Sequence, residues 1–211
     1  MNGLFFSITK ADCIEASSTI NDDNGLLEIT TPRNYTEKEI NEYLHTLDDA
    51  VLDKQKKAKE VFRKRVQEMI SIYAKELDIP FSMDLRLLSK SKHLCNGEAE
   101  VNGIVFSGRI SILTVLQFCP DDIVQKIVRY AVYIVAIRYE ELCRNITGFS
   151  LYTHDMLIGR DTEVGGVDVP ESKYSINLTP GEIEQIQTDY DRAFKQFAEE
   201  MKKQQVCYLN R

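Results

Sequence analysis

Three histidines, five cysteines and several adjacent carboxylate pairs are the groups in this chain that could bind a metal or move a proton. His45 follows Leu44 on an expected helix, His93 stands two residues before Cys95, and His154-Asp155 falls in a glycine-rich stretch. Three elements carrying one histidine each do not make the four-ligand set of a structural zinc site. Cys13, Cys95, Cys119, Cys143 and Cys207 are odd in number, widely spaced and free of any Cys-x-x-Cys pair. That pattern is neither a disulfide framework nor a zinc knuckle, and it predicts free thiols in a reducing interior. The pairs Asp48-Asp49, Asp121-Asp122, Glu140-Glu141 and Glu199-Glu200 sit on expected helices. Neighbouring helical positions point in different directions, so these pairs suit solvation and capping better than shared acid-base work. There is no glycine-rich phosphate loop, nucleophile elbow or His-Glu-x-x-His. The expectation is a non-enzymatic protein with no catalytic, cofactor-binding or metal-binding residue and no cofactor.

The elements that must hold these residues are marked by caps and periodicity. Residues 1–34 mix short apolar runs with the turn-rich Asn21–Gly25 and read as an amino-terminal arm with one or two short strands. Residues 35–211 read as a single helical domain. Thr36-Glu37-Lys38-Glu39 is a capping box, followed by apolar residues at spacings of three and four from Ile40 to Leu77, with a polar gap at Asp53–Lys57. This predicts either one helix of about 40 residues, roughly 60 Å long, or two helices broken at the gap. Residues 84–116 change to a period of two, with Asn102-Gly103 as a hairpin signal, and predict a small antiparallel meander. Pro120 opens a nearly all-round apolar helix to residue 144, with Asp121 and Asp122 at its positive end. Ile127, Ala131, Ile134 and Val135 are expected among its most buried residues. Glycines at 148, 159, 165 and 166 predict a long loop over 146–176. A second capping box, Thr179-Pro180-Gly181-Glu182, starts the last helix, whose stripe includes Tyr190, Phe194 and Phe197, and the tail Val206–Leu209 can pair as a strand. The fold class expected is α+β, mainly α: three major helices, one very long or broken, packed with the meander.

Net charge is −7, with 26 basic and 33 acidic residues. An acidic surface disfavours tight, sequence-specific nucleic-acid binding, which needs clustered cations at phosphates. The basic run Lys54–Lys59, continued by Arg63–Arg65, lies among glutamates and reads as a solvated helix face. Met1–Lys10 lacks the basic region of a signal peptide. The most apolar stretch, Ile123–Ile137, is interrupted by Gln125, Lys126 and Arg129 and is too short to span a bilayer. The predicted partners are therefore proteins, copies of the chain included. The candidate interface is Phe149, Leu151, Tyr152, Met156, Leu157 and Ile158 of the long loop, too apolar for free solvated chain. Arg138, Tyr139 and Glu140 at the preceding helix end join it, as an interface or as an ordinary ion-pair cluster.

The order strand (Arg109–Leu113), Pro120, apolar helix ending in Arg138-Tyr139-Glu140-Glu141, long loop and final amphipathic helix (Thr179–Gln204) resembles head–tail adaptor proteins of tailed bacteriophages, over roughly residues 105–205. The resemblance implies an oligomeric structural protein of the virion, a connector forming a ring between portal and tail. A second order, helix Lys59–Leu77, strand, Arg109-Ile110-Ser111-Ile112, Pro120 and helix, is similar to small zinc metalloproteases of the SprT-like kind. Where those carry His-Glu-x-x-His this chain reads Arg129-Tyr130-Ala131-Val132-Tyr133. That resemblance implies a catalytically dead, metalloprotease-like binding module. A cytoplasmic location or a virion fits both readings.

Overall fold

The computed structural model describes the backbone of residues 4–47, 49–102, 105–158 and 178–209, with side chains over those ranges except residues 105 and 144–158. Alternating apolar residues at the amino terminus make three strands: β1 (Leu4–Ala11), β2 (Ser17–Ile20) and β3 (Leu27–Pro32). The tail supplies a fourth, β7 (Cys207–Leu209), and the sheet order is β2-β3-β1-β7. β1 runs parallel to β3 and antiparallel to β7, with Phe5 opposite Tyr208. Successive strand residues face opposite sides, and β1 uses both. Leu4 and Phe6 join Leu27, Ile29, Ile40 and Leu44, where helix α1 (Glu37–His45) covers the sheet. Phe5 points the other way, into a cluster with Leu26 and Phe118. The segment expected as an arm is thus most of a sheet.

The Thr36 capping box forms as expected. The Glu39 amide donates to Thr36 Oγ1 (3.3 Å), and the Thr36 amide donates to Glu39 Oε2 (2.7 Å). The long helix is broken, but not at the polar gap. α1 ends at His45, with the Thr46 amide donating to Tyr43 O, and α2 runs Asp49–Glu76 straight through residues 53–57. The gap is a helix turn because Gln55, buried there, finds partners on the first sheet: its Nε2 donates to Phe5 O and Gly25 O (both 2.9 Å), and its Oε1 accepts the Phe5 amide (3.1 Å).

The second sheet overturns the expected meander. β4 (Met83–Leu88), β5 (Cys95–Asn102) and β6 (Val105–Leu113) take the order β4-β6-β5. β5 and β6 are antiparallel, and Asn102, expected as a turn residue, is instead the last residue of β5, paired opposite Val105. β4 pairs with β6 in parallel, Leu85 opposite Ile110. The central place goes to the strand with the apolar inner face, where Ile110 and Ile112 are wholly buried, while β4 with Asp84 and Arg86 and β5 with Glu98 and Glu100 take the edges. Charged edge strands resist pairing with other chains. α2 also guards β4, because Gln67 donates to Met83 O (3.2 Å) and Arg63 to Leu85 O (3.1 Å). With two mixed sheets and seven strands among the described residues, the fold is α+β rather than mainly α with an antiparallel meander.

A 3-10 turn (Thr114–Phe118) leads through Pro120 into α3, which spans Asp121–Ile158. Its contact with the sheet is close: a Cβ on Gly97 of β5 would stand 2.5 Å from the Ala131 carbonyl oxygen. Ile127, Ala131 and Val135 are fully buried, whereas Ile134 is only half-buried. Arg65 of α2 donates to Asp121 Oδ1 (2.6 Å) at the start of α3. The expected loop over 146–176 begins as helix, because one glycine, Gly148, costs a helix only about 1 kcal/mol and the residues around it remain helix-compatible. The rest of that loop, residues 159–176, lies outside the described residues. α4 (Pro180–Gln204) starts at the second capping box and packs on α3 through Ile186 and Ala193.

Candidate functional site

The positions where chemistry was conceivable are separated by the fold. His45 is exposed at the end of α1, and His93 is exposed in the turn before β5. Cys95 is buried in β5, and the side chain of His154 lies outside the described residues. Among the described residues no three His, Cys, Asp or Glu side chains converge as a metal-ligand set. Arg129 is half-buried on α3 and Tyr133 is buried one turn on.

What occupies this side of α3 is aromatic. A spacing of three puts Tyr130 and Tyr133 on the same side of α3, their ring centroids 6.3 Å apart. The 3.6-residue period of α4 presents Tyr190 and Phe194 in turn, centroids 6.4 Å apart. Tyr130 and Tyr190 meet across the helix pair as a stack, 3.9 Å between centroids and 18° between planes. Burial, with the Cys95 sulfur, Tyr130 and Asp191 adding to it, pushes the Tyr190 hydroxyl up to about 12. Burial likewise raises Tyr130, with Cys95 and Asp191 contributing. Cys95 itself is pushed up to about 12 by burial. A thiol held that high is neutral at physiological pH and is not a nucleophile. The cluster therefore presents apolar faces and protonated hydroxyls. Its outer member, Phe194, remains 47% exposed.

No protein-family model, curated protein or solved structure matches this chain. The functional reading therefore rests on its own residues. No helix among the described residues is long and apolar enough to cross a membrane.

The interface residues expected from the sequence are divided between two environments. Arg138 is exposed, and Glu140 is half-buried. Tyr139 is also half-buried, edge-on to Phe81 (5.1 Å) and Phe106 (4.9 Å) at the end of the second sheet. Phe149, Leu151, Tyr152, Met156, Leu157 and Ile158 belong to the backbone of α3, and their side chains lie outside the described residues. The aromatic stripe of α4 was visible in the sequence as a core or interhelical seam. Its stacking partner on α3 was not, because the two tyrosines are 60 positions apart in sequence. On α2, Val61 and Ile72 are exposed at 67% and 57%, and their spacing of eleven puts them on one face of that helix.

Proposed function

We propose that this chain is a non-enzymatic assembly protein that works as an oligomer, with its protein-binding face on α3 and α4. One observation carries the reading: the Tyr130–Tyr190 stack with the half-exposed Phe194 beside it, held on two helices anchored by Ile186 and Ala193. Large aromatic side chains on a rigid support lose little entropy on association, and tyrosine is among the residue types that dominate binding energy at protein interfaces. The half-exposed aliphatics of α2 offer a second contact, as a closed ring requires two different surfaces on each subunit. In its most specific form the reading is a phage head–tail adaptor or connector, with a ring as its assembly.

Light scattering coupled to gel filtration tests it. The wild type is expected at a multiple of the chain mass, and Phe194→Asp, an exposed change, is expected to run as a monomer with its melting temperature unchanged. A wild-type monomer at micromolar concentration overturns the oligomer.

A second reading, a catalytically dead metalloprotease-like binding module, draws support from the packing of α2, the β4-β6-β5 sheet and α3, in the order the resemblance implied. Arg129 and Tyr133 stand where its ligands would be. It predicts a monomer that binds a protein partner without cleaving it.

A further inference from the structure

Helices α2 and α4 each pack on α3, and neither is a main neighbour of the other, so one subunit can offer their outer faces to different neighbours. Helix geometry decides which residues share those faces. Spacings of three and four put Lys57, Val61, Lys64, Glu68 and Ile72 along one side of α2, and all five are exposed. On α4 the helical period gathers Glu184, Asp191, Phe194, Lys195 and Ala198 on one side, again all exposed. The apolar members are few, Val61 and Ile72 on one helix and Phe194 on the other, so burial alone would not set a register between them.

The charges set it. On α2 the signs read plus at Lys57, plus at Lys64 and minus at Glu68, at spacings of seven and four. On α4 they read minus at Glu184, minus at Asp191 and plus at Lys195, at the same two spacings. None of these six side chains forms an ion pair among the described residues. Laid side by side in parallel, the two helices set each of the three charges of one against its opposite on the other. Phe194 then comes level with the stretch between Val61 and Ile72. Reversing one helix sets Lys57 against Lys195 and Glu68 against Glu184, like charges that disfavour that alignment. One like pair remains in the parallel register, Lys75 level with Lys202, with Glu76 beside it. Exposed ion pairs add little affinity each, but complementary charge steers association and fixes register, leaving affinity to the apolar side chains between them.

We infer that the α4 face takes a second copy of this chain, docked through the outer side of its α2 in parallel register. The inference rests on the oligomeric reading above and names the surface that meets the aromatic face. The contact is heterologous, α2 to α4, so each subunit keeps one of the two faces for the next copy. Repeating such a contact closes a ring or extends a filament.

Sedimentation velocity on the full chain and on charge-reversal variants tests the inference. Lys64→Glu and Asp191→Lys change exposed positions, so their melting temperatures are expected to stay those of the wild type. Each is expected to weaken self-association about tenfold or more, since each sets like charges together across the contact. The double variant Lys64→Glu, Asp191→Lys restores opposite charges and is expected to return to within about twofold of the wild type, a coupling that facing residues show and distant ones do not. A wild-type monomer overturns the oligomeric reading and the inference with it. An oligomeric wild type with either single variant assembling within about twofold of it overturns the α2–α4 pairing and leaves the oligomer. If only Lys64→Glu dissociates, α2 meets some other surface, such as α2 of a second copy. A double variant no better than the single ones also overturns the pairing, because the two side chains then do not face each other.

Discussion

Gln55 shows how one polar side chain can redirect a reading of the whole amino terminus. In the sequence it is the centre of a polar gap and invites a helix break. In the fold it is buried, and its amide satisfies both backbone groups of Phe5 and the carbonyl of Gly25. Hydrophobic periodicity cannot distinguish a polar residue facing water from one facing buried backbone groups of another element, because both interrupt the stripe in the same way. Gln55→Ala removes three hydrogen bonds and leaves buried backbone groups unpaired, so the expected loss is about 3 kcal/mol. Urea unfolding measures it. A loss below about 1 kcal/mol would mean that water replaces the amide and that the contact between α2 and the first sheet is looser than the burial of Gln55 implies.

Signals confined to a few adjacent residues were legible at the level of elements. Both capping boxes form with the hydrogen bonds their spacing predicted, and the Asn102-Gly103 signal found the neighbourhood of the β5–β6 reversal while missing its register by one residue, since Asn102 pairs with Val105. Partners were not legible. The period of two in β4 reveals a strand but not that it lies parallel to β6, because that choice depends on which edge α2 can cover through Arg63 and Gln67. The helix ends were misjudged where glycine was given too much weight, at Gly148. The caps also carry a pH dependence. Hydrogen bonds from the Thr36 amide and hydroxyl hold Glu39 below the usual carboxylate value, and Thr179, with a smaller contribution from Arg129, does the same for Glu182. A carboxyl depressed in the folded state stabilises fully above its unfolded value and loses that contribution as pH falls through its folded value. Wild type should therefore be more stable than the Glu39→Gln, Glu182→Gln double variant at neutral pH, with the gap closing as pH falls below the usual carboxylate range and through the depressed values of the two carboxyls. Melting curves across that range check this. A gap independent of pH would assign it to helix propensity rather than to the ionised caps.

At the scale of the molecule the two sheets are joined through a small third core. Phe118, at the end of the 3-10 turn, meets Phe5 edge-on (5.4 Å), Phe5 meets Tyr208 of β7 (4.9 Å), and Gln204 of α4 donates to Phe118 O (2.9 Å). Residues from the start, middle and end of the chain thus pack at one point. The outward face of β1, the turn into α3 and the last turn of α4 are each incomplete without the others. Phe118→Ala should cost about 3–5 kcal/mol, the range for removing a buried aromatic ring. The distribution of that loss is the sharper test. The main core under β6 retains Ile110, Ile112, Ile127 and Val128, all wholly buried, whereas the first sheet retains its packing on α1 and its bonds to Gln55 but loses its aromatic contact with the turn before α3. Amide exchange in the variant should therefore accelerate first in β1, β3 and β7, with β5 and β6 still protected, because regions with fewer buried contacts open at lower free energy. If exchange rises equally in both sheets, the molecule opens as one unit and Phe118 is an ordinary core residue. If it rises in neither, the first sheet is held by α1 and Gln55 alone.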